Sequence, residues 1–253
     1  MAEMHADIAS EHLATWVRRH WLLFGGVAAT CVLFVVLTTL AMLMYPGGTF
    51  PDAGTHGYQF FLNYFSDLGQ TRTQSGASNL PSMLLFTSSV VMVGGALGAF
   101  FLAFSAFFKT KATASVSLRL NRIATKFGIA SAFCFVGLAV VPENVFAAGH
   151  FLFVQGAFDS LLIAIILQIA ALRRTSGVSS WLLVVNSTFV VVLFGYVLLL
   201  LFGPSSRTLL GDEINAVGQK IIVYVALATI FVQALIVRAH LPRPALEKVR
   251  KSP

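Results

Sequence analysis

The chain has 253 residues, a formal charge of +7 at pH 7, 57 % apolar residues and only 11 % charged ones, with a mean hydropathy of +0.82. A soluble domain carries about 25 % charged residues, so a water-soluble globule is excluded, and so is a disordered chain. The 23 Phe and 5 Tyr add more apolar surface than a soluble monomer can hide, and the composition is that of an all-α, polytopic membrane protein.

A helix that crosses the hydrocarbon needs about 20 mostly apolar residues. Residues 1–21 read as an N-terminal tail, and the run from Leu22 to Met44 holds no charge. That run is longer than the roughly 7–15 residues of a signal-peptide core, so it is read as a retained first span over about 22–45. Residues 46–80 form the long 1–2 loop, which opens with Pro46-Gly47-Gly48 and closes with Asn79-Leu80-Pro81. Within it Tyr58, Phe61, Leu62, Phe65 and Leu68 recur at helical spacing, and Gly69 is a suitable stop. The spacing predicts a short amphipathic helix at the outer interface, where aromatic rings are favoured. Its polar side carries Gln59, Asn63, Ser66 and Asp67, with His56 before it and Arg72 five residues beyond Asp67.

The second span covers 81–108 and is uncharged from Leu84. The third covers 121–141, with Arg122 and Lys126 near its start; the fourth covers 148–172 and holds one charge, Asp159. The fifth covers 180–203 without charge, and the sixth covers 216–238 with Lys220 alone before Arg238. Residues 22–238 are thus a six-transmembrane-helix bundle, and 239–253 are a basic tail. Gly94 and Gly98, followed by Ala99 and Ala103, and Gly128 with Ala132, have the small-residue spacing that lets helices approach. Packing inside the bundle is the expected use, and a homo-oligomer through those faces is the other. Asp212 and Glu213, just before span six, suit a helix N-terminus, and Asn186, Ser187 and Gln168 suit interhelical hydrogen bonds.

Orientation follows from Lys and Arg in short loops. Fourteen of the 17 fall on the side of the N-terminal tail, the 2–3 and 4–5 loops and the C-terminal tail. Only Arg72, Arg207 and Lys220 fall on the other. Both termini are therefore expected in the cytoplasm, with the protein in the cell membrane. The same placement explains the positive charge through anionic head groups and makes nucleic acid an unneeded partner. Cys31 and Cys134 lie in apolar runs with no CxxC spacing, so neither a disulfide framework nor zinc is signalled. No HxxxH or HExxH run, phosphate loop or dinucleotide fingerprint occurs, so no metal or cofactor is expected.

The run Asn63-Tyr64-Phe65-Ser66-Asp67-Leu68-Gly69 after span one resembles the signature of a prokaryotic six-span family known as domain of unknown function nine-nine-eight. That family is distantly similar to the DRAM-type autophagy-modulator membrane proteins. Asn79 and Ser82 opening span two, Pro142 followed by His150 opening span four, and Gly218 with Lys220 opening span six agree with it, over roughly residues 45–238. The resemblance implies the six-span architecture and no established reaction. Family members often carry Arg at the position of Lys220.

Inside the spans, Asp159 lies nine residues beyond His150, so about 13 Å deeper at 1.5 Å per residue. A carboxylate near mid-bilayer normally faces the bundle or a wet cavity and has a partner. Gln155 sits one turn above it, and Lys220, followed one turn deeper by Tyr224, is the basic residue that enters from the same side. The sequence therefore suggests an Asp159–Lys220 pair in an outward-opening polar cavity. His150 lies about half a turn round the helix from Asp159 and is placed at the cavity mouth with Glu143 and Asp67. A cavity of this kind favours binding or moving a lipid or small amphiphile. The alternative is an intramembrane lipid hydrolase or transferase, using Ser66 and Asp67 with His56 or His150, and a structural or scaffolding subunit is the third reading.

Overall fold

The computed structural model describes residues 2–205 and 208–243, with side chains from residue 12 onward. Six α-helices follow in order: α1 Ala2–Leu43, α2 Leu80–Lys109, α3 Ser115–Val140, α4 Ala147–Leu172, α5 Ser180–Phe202 and α6 Leu209–His240. All six are long and apolar enough to cross a membrane, and no strand occurs among the described residues. Residues 2–21, read as an N-terminal tail, are the first turns of α1. Arg207 and the tail residues Lys248, Arg250 and Lys251 lie outside the described residues.

The four connections after α2 are short, so each helix turns back beside its predecessor. α1 packs on α2, α2 on α3, α3 on α4, α4 on α5 and α5 on α6, and α6 returns to α1, closing a ring. The 1–2, 3–4 and 5–6 connections therefore share one end of the bundle, hereafter the loop end.

Phenylalanine fills the interior. Phe100, Phe104 and Phe108 recur every four residues along α2 and are all but fully buried, and Phe24 of α1 meets Phe100 edge-on at 6.0 Å. The small-residue faces are spent between α2 and α3. A Cβ on Gly94 would lie 2.9 Å from Val136, one on Gly98 3.5 Å from Ala132, and one on Gly128 2.3 Å from the Phe101 ring. Hydrogen bonds add to this seam and its neighbours: Asn121 Nδ2 donates to Ser105 Oγ at 2.9 Å, and Ser131 Oγ to the Ala157 carbonyl of α4 at 2.8 Å. At the opposite end from the loops, the Arg238 guanidinium lies 3.5 Å from the Trp21 ring centroid, a cation–π contact that ties α6 to α1.

Of the polar residues read as interhelical ties, Asn186 behaves so, donating to Gln233 Oε1 at 3.2 Å. Gln168 does not: it is buried, and neither amide atom has a hydrogen-bond partner. The start of α6 is capped by Thr208, whose hydroxyl accepts from Gly211 N–H at 3.1 Å, and Asp212 lies in its first turn.

Candidate functional site

The 1–2 loop is a folded cap, not an amphipathic helix lying flat at an interface. Its only helical piece is a 3₁₀ turn, Ser66–Gly69, and all four residues of that turn are buried. The helical spacing of its aromatics is real, but the backbone donors and acceptors go elsewhere. Gln59 N–H donates to Asn63 Oδ1 at 2.9 Å, Tyr64 N–H to Asp67 Oδ2 at 2.9 Å, and Phe65 N–H to Gln219 Oε1 of α6 at 2.7 Å. Short polar side chains compete for backbone groups in this way and break a helix. Tight turns at Gly47 and Gly48 start the cap. Both have positive φ, and a Cβ would come within 2.3 Å of the Thr55 carbonyl or 2.4 Å of Ser75 N, so only glycine fits.

Asn63, Asp67, Asn79 and Lys220 form one buried hub. Asn63 Nδ2 donates to the Gly48 carbonyl and to Asp67 Oδ2, both at 2.9 Å. Asp67 Oδ1 accepts from Gln70 Nε2 at 3.1 Å. Asn79 Nδ2 reaches the carbonyls of Asp67, Leu68 and Gln70 at 3.2, 3.1 and 2.9 Å, holding the 3₁₀ turn to the start of α2. Ser82 Oγ adds a bond to the Leu68 carbonyl at 3.4 Å. Gly69 lets the turn lie flat on Phe86, 2.8 Å from where a Cβ would be. The Lys220 ammonium donates to the Asn63 carbonyl and to the Ala216 carbonyl at 3.2 Å, and lies 5.6 Å from the Tyr58 and 5.3 Å from the Phe60 ring centroid. A second tie runs to the 3–4 loop: Thr71 N–H donates to Asn144 Oδ1 at 3.1 Å, and Asn144 Nδ2 returns a bond to Thr71 Oγ1 at 2.8 Å.

Burial pushes the Asp67 carboxyl up to about 7, against the Asn63 hydrogen bond; the nearby Glu143 charge pushes the same way, and the Tyr64 N–H and Lys220 oppose it. The same burial, reinforced by the Asp67 charge, raises the phenols of Tyr45 and Tyr58 above their ordinary range.

The expected Asp159–Lys220 pair is not formed. Lys220 is committed to the cap, and α4 and α6 are separated in the ring by α5. Asp159 is half-buried, and Gln155 Nε2 donates to both of its oxygens at 2.8 Å. Arg72 does not reach Asp67 either; it is exposed and donates to the Gly76 carbonyl at 3.0 Å. His56 is exposed at the rim of the cap, and Tyr224 packs edge-on against Phe65 at 5.5 Å.

Beside the hub lies a cavity of about 610 Å³, bounded by the cap, α4, α5 and α6. Of the residues placed in a cavity from sequence, Asp67, Ser66, Glu143, His150 and Gln155 line it; Asp159, Lys220 and Tyr224 do not. Tyr64, Tyr196, Asp212 and Gln219 line it as well. Their sequence signals were weak, because each looks like an ordinary loop, core or helix-end residue until α5 and α6 meet the cap. A second cavity of about 80 Å³, walled by apolar side chains, runs into the bundle core, and Ser66, His150, Val154 and Gln219 border both.

His150 is 4 % exposed, and its Nδ1 is 2.8 Å from the Val141 carbonyl. A carbonyl only accepts, so Nδ1 carries a proton directed at Val141. The groups of a Ser–His–carboxylate relay are not assembled. Asp67 is bonded to Asn63, Tyr64 and Gln70, and His150 to a backbone carbonyl. Among the described residues no three His, Cys, Asp or Glu converge as a metal site.

Fold and site together define a six-helix bundle of membrane-spanning character whose loop end holds a capped polar cavity above an apolar one. No family model, no curated protein and no solved structure matches the chain.

Proposed function

We propose that this chain is a multi-pass protein of the cell membrane, with both termini cytoplasmic, that binds or moves a lipid or small amphiphile through the loop-end cavity. The observation that carries this reading is the junction of two unlike cavities. A polar chamber of about 610 Å³ and an apolar one of about 80 Å³ share Ser66, His150, Val154 and Gln219 as common walls. An amphiphile matches that pairing, with its head in the chamber and the start of its chain in the core. Pockets of several hundred Å³ with a few convergent polar groups are the usual form of small-molecule sites. The 14-to-3 split of basic residues supports the orientation, which puts the loop end outside. Kinship with the domain-of-unknown-function nine-nine-eight family belongs to the same proposal. Its support is that the Asn63–Gly69 run, Asn79, Ser82 and Lys220 act together as the buried hub that holds the cap.

The test is mass spectrometry of lipids that co-purify with wild type and with Val154→Trp, both checked for folding by thermal unfolding. Val154 is 7 % exposed and borders both cavities, so the indole blocks the junction. A lipid or amphiphile enriched over bulk membrane in wild type and depleted in the variant is the expected result. Bulk-like lipid in both proteins would overturn the proposal.

A further inference from the structure

The apolar cavity beside the loop-end chamber is too small for an acyl chain. A cavity of about 150 Å³ takes up one benzene ring, so one of about 80 Å³ takes up only a few carbons of a tail. An amphiphile with its head in the chamber therefore needs another apolar surrounding for the rest of its tail. The seam between α4 and α5 supplies a way to it.

α4 packs closely on α3 and only sparsely on α5. On the α3 side a Cβ at Gly137 would lie 2.4 Å from the Phe153 ring, and one at Gly156 would lie 3.0 Å from Cys134 Sγ. On the α5 side the Phe158 and Tyr196 rings meet, with centroids 4.8 Å apart. From there to the loop end the two helices wall the polar chamber, through Phe151 and Gln155 of α4 and Leu200 of α5. Phe151 is nevertheless 58 % exposed, and Gln155 and Leu200 are half-buried. This part of the wall is a gap rather than a seal.

A polar pair marks the edge of that gap. At about 100° per residue, Gln155 lies on the flank of α4 opposite Phe153, and Asp159 lies about 40° farther toward the outside of the bundle. Asp159 is also about 18 Å along α4 from its first residue, near the middle of a hydrocarbon core of about 30 Å. Both hydrogen bonds that Asp159 accepts come from Gln155, one turn away on the same helix, so they tie no helix to another. Ionisable groups inside spans are costly and mark substrate or ion pathways. Here the pair leads from Gln155 in the chamber wall to half-buried Asp159 on the outer side of α4.

We propose that the chamber is entered sideways from the bilayer, through the gap between α4 and α5, and that its ligand is a lipid of the leaflet at the loop end. The head group passes along Asp159 and Gln155 into the chamber. The carbons nearest the head fill the apolar cavity, and the tails run out through the gap into the hydrocarbon. This inference rests on the amphiphile reading above and specifies the source of the amphiphile, the membrane rather than the aqueous phase.

The experiment uses full-length protein in nanodiscs and photo-crosslinking, with adducts located by peptide mass spectrometry. One probe is a long-chain phosphatidylcholine built into the disc, with a diazirine on the first carbons of one tail. The other is dibutanoyl phosphatidylcholine with the same diazirine, which stays in the water. Leu152 is exposed on α4 and reports ordinary contact with surrounding lipid, whereas buried Val154 reports entry. In wild type the long-chain lipid is expected to mark Val154 as well as Leu152. Gln155→Leu combined with Asp159→Leu should lose the Val154 adduct and keep the one at Leu152. The thermal midpoint should hold or rise, because the pair joins no helices. The wild-type comparison needs no variant to fold. If the long-chain lipid marks Leu152 alone while the short-chain one marks Val154, entry is from water: the lateral route is overturned and the amphiphile reading stands. Val154 left unmarked by both probes would overturn both. An undiminished Val154 adduct in the folded double variant would overturn the route along Asp159 and Gln155.

Discussion

Lys220 is the residue on which the cap closes. Its ammonium bonds the Asn63 and Ala216 carbonyls and lies near two aromatic rings, so its hydrogen bonds go to backbone dipoles, with the Asp67 and Asp212 carboxylates acting on it through their charge. Hydrogen bonds to a charged group contribute about 1.5–3 kcal/mol. Lys220→Met keeps the stem and removes the donor, and it should destabilise the protein by about that amount, read as a lowered thermal midpoint. Asp67 gives a pH prediction. Its carboxyl is raised from the ordinary carboxylate range to about 7, so the folded state holds its proton more tightly than the unfolded chain. The sign follows from linkage: the contribution is fully present below about pH 4 and is lost as pH rises through 7. Relative to Asp67→Asn, the wild-type thermal midpoint should therefore fall between pH 4 and 7 and then level off. The variant is a fair reference. Its remaining oxygen can still accept from Asn63 and Tyr64, and Gln70 meets the new amide donor by turning its own amide over.

Among the elements, α2 and α3 depend on glycine at their seam. A Cβ at Gly128 would lie 2.3 Å from the ring of Phe101, which is itself 2 % exposed. Gly128→Ala should cost about 1–3 kcal/mol by overpacking. Gly95, one residue from the seam glycine Gly94, has nothing within 4 Å of a new Cβ. Gly95→Ala should be neutral or gain up to about 1 kcal/mol of helix propensity. Thermal unfolding of the two variants side by side separates packing at the seam from a general effect of removing glycine. A large loss at Gly95 would mean that this face is covered by something other than the chain's own helices.

For the whole molecule, the testable claim is orientation. Ala53 in the cap and Ser176 in the 4–5 connection are both exposed and lie at opposite ends of the bundle. With the termini cytoplasmic, Ala53→Cys should react with a membrane-impermeant maleimide on intact cells. Ser176→Cys should react only after permeabilisation. Cys31 is buried and Cys134 half-buried, so wild type sets a low background. The reverse pattern would turn the protein over and put the cavity on the cytoplasmic side.

The six helices and the importance of residues 46–80 were legible in the sequence, because a bilayer imposes a one-dimensional rule: about 20 uncharged residues make a span. The starts of α1, α3 and α6, at Ala2, Ser115 and Leu209, were not, because a helix can run on past the apolar stretch that the rule detects. Lys220 stood out as a charge within an apolar span, Asn63 and Asp67 as the polar side of the loop's helical pattern, and Asn79 and His150 through the family resemblance. What each of them bonds was not legible. Asp159 and Lys220 appeared to be partners because depth along a helix is readable from sequence, whereas the order of helices around the ring is not. The ring puts α5 between them and hands Lys220 to Asn63. The aromatic period of residues 58–68 suggested a helix, yet Gln219 and the local Asn and Asp side chains claimed its backbone groups. Asp212 read as helix-end chemistry until α6 met the cap and made it a wall of the cavity. Sequence determined which segments leave water and which residues resist leaving it. The tertiary structure decided which of those residues meet, because pairing across helices depends on rotation and neighbour order, which no single segment encodes.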